Sequence, residues 1–269
     1  MEKIKIRPID RVYKARDISR IKVDEIVDTL FTDFFEQKGD GLMREDSSIY
    51  GGIALFHGKP VTVIGHRKGK NIQENIKYNF GMASPEGYRK ALRLMLEAEK
   101  FNRPIITFID TPGAYPGLEA EMNGQSQAIA KNLAVMSRLK VPIISIVTGE
   151  GSSGGALGIG VANKIFMLEN AIYSVLSPEG FASILWKDAA LASKACDVMK
   201  ITANDLYAFG IIEGVISEEK NTADNKPLFE RIDRVIEQSL VELCELSKEK
   251  IVEQRYNKFR YFDDKYLKK

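Results

Sequence analysis

The sequence predicts an α/β fold, and three observations carry that prediction. Two strand-turn-helix units stand in tandem, RPIITFIDTPGAYPG (Arg103–Gly117) and VPIISIVTGEGSSGGALGIG (Val141–Gly160). Each runs from β-branched residues through a glycine-rich turn into a helix start. Apolar stripes at helical spacing flank both units, and 44% apolar side chains over 269 residues suffice for one large core without a second full domain. The expected organisation is one domain over 1–269, with an N-terminal arm at 1–22 and an amphipathic C-terminal helix at 228–260.

Residues 1–22 carry many charges and few anchors, which predicts a short arm or helix docked on another surface, a second subunit among them. Val23–Gln37 has apolar residues at 23, 26, 27, 30, 31, 34 and 35, a helical stripe that ends before Gly39 and Gly41. Tyr50–Gly58 and Pro60–Gly65 read as strands of a hairpin turning at His57-Gly58-Lys59-Pro60. Ser84-Pro85-Glu86 opens a helix with Tyr88, Ala91, Leu92, Met95 and Leu96 on one face. Ala120–Leu139 reads as one helix whose buried edge is Ile129, Leu133 and Met136. After the second unit, Lys164–Leu176 gives two strands broken at Asn170, and a second Ser-Pro-Glu-Gly at Ser177–Gly180 opens another helix. Thr202–Gly214 gives a helix and turn, and Gly214–Ser217 a last strand. Leu228–Tyr256 is the long amphipathic helix, with Leu228, Ile232, Val235, Ile236, Leu240, Leu243 and Leu246 on its stripe.

Composition excludes several classes. Net charge is +2, so nothing global favours nucleic acid or an acidic membrane. Cys196 and Cys244 have no paired spacing, which argues against a disulfide framework and a structural zinc. Asp110, Glu119 and Glu121 do not form a metal set, because Asp110 ends a strand while the glutamates sit on a helix start, where acids suit the dipole. No apolar leader or spanning run is present, so a soluble cytoplasmic protein is expected.

The chemical signal is the turn Gly149–Gly155. Backbone amides left bare where a strand passes into a helix form an anion or oxyanion site without help from a side chain. Gly149-x-Gly151-x-x-Gly154 matches a loose dinucleotide fingerprint, but two serines and a further glycine crowd the turn, and too little parallel-sheet sequence follows Glu169 to complete a cofactor sheet. A serine peptidase using Ser153 needs a base, and the only histidines, His57 and His66, stand far upstream, where turn or surface polarity accounts for them. His66-Arg67-Lys68-Gly69-Lys70 misses the phosphate-loop pattern; its charges suit either a solvated turn or the phosphates of an extended ligand.

These residues resemble a known family, the carboxyltransferase α subunits of the multi-subunit acetyl-CoA carboxylases of bacteria and plastids. The resemblance runs from about Ile49 to Ile216 and rests on YGGIALFHGKPVTVIGHRKG, NFGMASPEGYRKALRLMLEAEKFNRPIITFIDTPGAYPG, GQSQAIAKNL, GEGSSGGALGIG and YSVLSPEGFASILWKD. It implies a crotonase-like superhelix of ββα units. It implies transfer of a carboxyl group from carboxybiotin, borne by a separate biotin carboxyl carrier protein, to acetyl-CoA, forming malonyl-CoA for fatty acid synthesis. It further implies that Gly154 and Gly155 give the amides for the biotin carbonyl. A β subunit would supply a second oxyanion site and a zinc ribbon, in an α2β2 arrangement within a complex that includes an ATP-using biotin carboxylase. Gly151, Ser152, Ser153, Thr111, Pro112, Gly113, Arg67, Lys68 and Lys70 are then expected at the rim of the site, with no metal in this chain. One departure stands out: where the family usually reads Gly-Glu-Gly-Gly-Ser-Gly-Gly, Ser152 takes the fourth position, which requires a negative φ there. The N-terminal arm is also shorter than in many relatives. A serine peptidase of similar fold and a non-catalytic assembly subunit are the alternatives.

Overall fold

The two β-branched runs form the centre of an eight-stranded mixed sheet. In the computed structural model, which describes residues 6–218 and 225–262, the strands are β1 (Thr32–Glu36), β2 (Ile49–Phe56), β3 (Lys59–His66), β4 (Ile105–Thr111), β5 (Ile143–Ser152), β6 (Lys164–Leu168), β7 (Ile172–Ser174) and β8 (Gly214–Ile216). Their order is β1-β2-β3-β4-β5-β6-β8, with β7 paired to the end of β5. β1, β2 and β3 are antiparallel, and every pairing from β3 onward is parallel. All residues of β4 and β5 are buried, as a parallel strand covered on both faces requires. The expected hairpin is present: His57 (φ 47°) and Gly58 (φ 75°) are both left-handed, the backbone of a tight two-residue turn.

The N-terminal arm folds onto its own chain. Helix α1 (Pro8–Arg16) sets Ile9, Val12 and Ala15 against Ile172, Cys196 and Ile201. Residues 1–5 of the arm lie outside the described residues. The helix expected over Val23–Gln37 is shorter: α2 (Val23–Leu30) stops, and the following residues become β1. The aromatic spacing of Phe31, Phe34 and Phe35 reads as helical, yet Phe31 packs into the core against Phe56 and Phe108, while Phe34 meets Tyr50 across the β1–β2 pair at 4.9 Å. Cross-strand packing overrides the local period.

After α3 (Ile72–Lys77) comes α4 (Pro85–Lys100), which buries Tyr88, Ala91, Leu92 and Met95 as expected and Leu94 in addition; Leu96 is exposed. Ser84 precedes α4 without capping it through its side chain; its N–H donates to Asp46. The single helix expected over Ala120–Leu139 is two, α5 (Leu118–Met122) and α6 (Gln125–Met136), because Gly124 turns left-handed at φ 84° between them. Helix α7 (Ser153–Leu157) follows β5 directly. Ser177 caps α8 (Pro178–Trp186) by accepting from Gly180 N–H. Left-handed Lys187 ends that helix before α9 (Ala192–Met199), and α10 (Ala203–Ala208) opens on a Thr202–Asp205 capping box.

The C-terminal stripe is divided between α11 (Lys226–Cys244) and α12 (Lys248–Arg260), since Ser247 caps a new helix by accepting from Lys250 N–H. Both pack on this chain. Fully buried Arg255 reaches under α6, donating to the carbonyls of Met136, Leu139 and Val141 at 2.7–2.8 Å and to Asn163 Oδ1. Burial without a bonded carboxylate lowers its pKa to about 10.

Candidate active site

β4 and β5 run side by side from Ile105↔Ile143 to Thr111↔Gly151, so the turns that follow leave from the same edge of the sheet. In parallel sheets that edge, beyond the carboxyl ends of the strands, is where ligands bind. The two turns touch. A Cβ on Gly155 would lie 2.5 Å from Gly113 C and from Ala114 N, so no side chain fits between the two backbones. Gly154 is half-buried and open, its nearest neighbours being two Ile129 carbons at 3.7 Å from a Cβ.

The amides of Gly154 and Gly155 donate to no described residue, and Ser152 does not cap them. Their carbonyls are engaged. Gly154 O accepts from Gly158 N–H at 2.9 Å, and Gly155 O accepts from the Tyr88 hydroxyl at 3.2 Å. Burial raises the Tyr88 phenol pKa, so it stays a donor. Asn132 Nδ2 donates to Gly158 O and Tyr88 O at 2.9 and 3.0 Å. The short helix is thus pinned from below by its carbonyls, while the amide end is free to meet negative charge.

The facing turn is equally fixed. Thr111 Oγ1 donates to Gly113 O at 2.7 Å and accepts from Gly113 N–H at 3.1 Å, and Gln125 Nε2 bridges Ala83 O and Tyr115 O, both at 2.9 Å. Pro112 lies beside a cavity of about 290 Å³. Ser152, where the family's glycine was expected, has φ −115° and tolerates its side chain. Ser153 carries the left-handed conformation instead, at φ 54°. Gly151 faces the Tyr173 ring and is closed off.

The basic cluster divides. Only Lys68 turns toward the strand ends, placing Nζ 2.7 Å from Asp110 Oδ1 and 3.4 Å from Glu150 Oε2. Burial would raise the Asp110 pKa, but the Lys68 charge outweighs it and holds the carboxyl below its ordinary range. Lys68 is likewise raised against its own burial by Asp110 and then Glu150. Arg16 adds a second cation at 2.8 Å from Glu150 Oε1. Arg67 instead pairs with Asp24 and lies between the Tyr50 and Tyr78 rings, at 4.4 and 4.5 Å. Lys70 pairs with Glu25 of α2 at 2.9 Å.

The histidines differ from each other. His57 sits exposed at the hairpin turn, bridging Asp233 at 2.9 Å and Glu237 at 3.5 Å; among the described residues this is the one His, Cys, Asp or Glu group whose geometry could hold a metal ion. It lies at the opposite end of β3, roughly 25 Å along the strand from the glycine turn. His66, expected to be turn or surface polarity, is 1% exposed, and neither ring nitrogen has a partner. Burial pushes its pKa down to about 3. Ser153 Oγ has no hydrogen-bond partner among the described residues, so no base activates it and the peptidase alternative is not favoured. Sequence reasoning missed Asn132 and Gln125, although a buried amide on the inner edge of a helix was a usable signal; the hydroxyl of Tyr88 gave none.

The chain matches the family described as acetyl co-enzyme A carboxylase carboxyltransferase-like over residues 3–263. A Bacillus subtilis (strain 168) protein named acetyl-coenzyme A carboxylase carboxyl transferase subunit alpha is 57% identical over 95% of this chain and 79% of its own length. A Listeria monocytogenes serotype 4b protein of the same name is 56% identical over 93% of this chain and 80% of its own. Among solved structures, transcarboxylase 12S superposes with a TM-score of 0.69 at 19% identity, over 86% of this chain and 44% of that one. The beta subunit of Pseudomonas aeruginosa geranyl-CoA carboxylase gives 0.65 at 18%, over 91% and 46%. A Pseudomonas malonate decarboxylase hetero-tetramer solved with malonate gives 0.65 at 18%, over 82% and 90%. These likenesses show the crotonase-like α/β fold that the sequence resemblance implied. Over nearly its whole length, the chain belongs to the acetyl co-enzyme A carboxylase carboxyltransferase-like family.

Proposed function

We propose that this chain is the α subunit of an acetyl-CoA carboxylase carboxyltransferase. With a β subunit it moves the carboxyl group of carboxybiotin, carried on a separate protein, to acetyl-CoA, giving malonyl-CoA. The names of its relatives support the activity. The observation that carries the site is the pair of unengaged amides at Gly154 and Gly155, wedged against the Gly113–Ala114 backbone. The lack of side chains there suits a flat polar group approaching the amides edge-on. When bound, carboxybiotin supplies the carboxyl group and a ureido oxygen that gathers negative charge as that group departs. The two amides are the donors for that oxygen. Tyr88 and Asn132 hold the carbonyls of this short helix, so the donors need no reorganisation, and each is worth about 3 kcal/mol by comparison with other oxyanion holes. Thr111, Pro112, Gly113, Ser152 and Ser153 form the rim.

In this reading the thioester is held by the β subunit, which also carries the zinc ribbon, and the active assembly is an α2β2 cytoplasmic complex served by the carrier and a biotin carboxylase. Exposed Val175, Ile184 and Leu185, which follow the β7 strand paired to Ser152, offer an apolar face for such a partner. Among the described residues no helix is long and apolar enough to cross a membrane. The test is malonyl-CoA decarboxylation with free biotin by the purified chain, by its β partner and by the mixture. Activity in the mixture alone, lost with Gly155→Val in an assembled complex, supports the reading. Turnover by the isolated chain, or an active Gly155→Val complex, refutes it.

A further inference from the structure

The cavity beside Pro112 holds a cation that the mechanism above does not use. It lies between the end of α1, the segment entering α2, and the ends of β4 and β5, and Arg16, Lys22, Lys68, Asp110 and Glu150 supply its charges together with Asp17. Pro112 lines the cavity and is followed in the chain by Gly113, against whose backbone Gly155 is packed, so the cavity adjoins the turn that faces the glycine pair. Lys68 is paired with Asp110 and Glu150, and Arg16 with Glu150 and Glu179. Lys22 has no such partner. Its residue is 5% exposed, and no described residue places a carboxylate oxygen within 4.0 Å of its Nζ or accepts a hydrogen bond from it. Asp110 and Glu25 act on it only at longer range, opposed by Lys68 and Arg20. Its stem is covered while Nζ keeps solvent access, so the ammonium opens on the cavity, where an anion can pair with it.

A second feature marks the same cavity. Asn79, Phe80 and Gly81 are consecutively left-handed, at φ 50°, 55° and 77°. Phe80 lines the cavity and is 40% exposed, while Gly81 presses on the Asp110 carbonyl and the Lys68 stem. A bulky residue held at positive φ is strain of the kind found at ligand sites. An aromatic ring and an unpaired cation in the lining of one space of about 290 Å³ suit a carboxylate borne on a small flat group.

We propose that Lys22 binds the carboxylate of the group in transit, in the cavity it shares with Lys68 and Phe80. This rests on the carboxyltransferase reading and deepens it: the amides receive the oxygen that gains charge, and Lys22 holds the carboxyl that moves. The lysine touches the reacting group and is a catalytic residue in that sense.

The reconstituted complex tests it through malonyl-CoA decarboxylation with free biotin. Lys22→Met is expected to lower kcat roughly 10- to 100-fold, the range for a lost charge-assisted hydrogen bond, with Lys22→Arg recovering part of the loss and the melting temperature of Lys22→Met unchanged or higher. The full chain labelled with nitrogen-15 lysine is then titrated with sodium malonate and, separately, with sodium bicarbonate, the Lys22 signal being identified by its absence from Lys22→Met. A shift with malonate supports the proposal. A shift with bicarbonate alone marks a site for a free one-carbon oxyanion and overturns it, as does no shift with either or an undiminished kcat in folded Lys22→Met. If Lys22→Met is active while Gly155→Val is dead, only the lysine proposal fails; if both are active, the carboxyltransferase site is misplaced.

Discussion

Gly155→Ala is the sharpest test of the amide site, because it adds one methyl group and removes no donor. The new Cβ would stand 2.5 Å from Gly113 C and Ala114 N and 2.9 Å from Gly113 Cα. All three are backbone atoms, so no side chain can rotate away. Reaching ordinary contact at 3.4 Å requires the two turns to part by about 0.9 Å. Such overpacking costs about 1–3 kcal/mol of stability. A displacement of about 1 Å at a positioned donor costs roughly 100-fold in rate, and loss of one oxyanion donor roughly 100- to 1,000-fold in kcat. The expected result is therefore a folded, assembled complex with kcat down by about two orders of magnitude. Gly154→Ala is the internal control, since its Cβ meets only Ile129 carbons at 3.7 Å and its N–H is retained; it should keep kcat within about threefold, well under the cost of one oxyanion donor. Malonyl-CoA decarboxylation with free biotin, alongside thermal melting and gel filtration of the complex, reads both. Equal activity of the two alanine variants would refute the reasoning.

Three further outcomes follow from the same contacts. His66, neutral and buried with a pKa of about 3 against 6.5 when unfolded, binds fewer protons native than unfolded between those values, so stability present above pH 6.5 is lost as pH falls, at about 1.4 kcal/mol per pH unit; His66→Leu should flatten that limb in denaturant melts taken from pH 7 to pH 4, and an unchanged slope contradicts the assignment. Asn132→Leu leaves the Gly158 carbonyl unmet and removes the extra donor to Tyr88 O, and should cost about 1–3 kcal/mol in chemical denaturation, with kcat down roughly tenfold or more because the helix bearing the amides loosens; full activity would show that this anchor is dispensable. Arg255→Met strands the neutral acceptors gathered under α6 and should cost about 1–3 kcal/mol for each one left unpaired, with kcat of the surviving folded fraction unchanged.

The features legible in the sequence were those encoded by neighbours in the chain. A β-branched run broken by glycine announces a strand entering a turn, so β4, β5 and both site turns were readable, as were the hairpin at His57-Gly58 and the Ser177 cap. What failed depended on distant partners. Phe31, Phe34 and Phe35 satisfy a helical period, and only pairing with β2 makes β1 of that stretch. In the cluster Arg67-Lys68-Gly69-Lys70 the charges are chemically alike, and acids from α2 claim Arg67 and Lys70 while β4 and β5 claim Lys68. Nothing local distinguishes them. Glycine, Asn170-like breaks and caps end helices visibly, but Ser247 within an unbroken apolar stripe was not read as a new start.

A site built from peptide nitrogens moves the burden of specificity away from the side chains that face the ligand. Exposed Ser153 can change without altering a donor, whereas Tyr88 and Asn132, both behind the helix, fix where the donors point. The charged groups nearby obey a related logic. Asp110 and Glu150 neutralise Lys68 and Arg16 in place, so this buried network adds little net field at the amides and serves to lock the strand ends. Lys22 is the cation left over in that accounting. In the proposed transfer one negative charge passes from the carboxylate to the ureido oxygen, so the fixed amide dipoles stabilise the charge where it arrives, and the role left to Lys22 is to place the carboxylate before it departs.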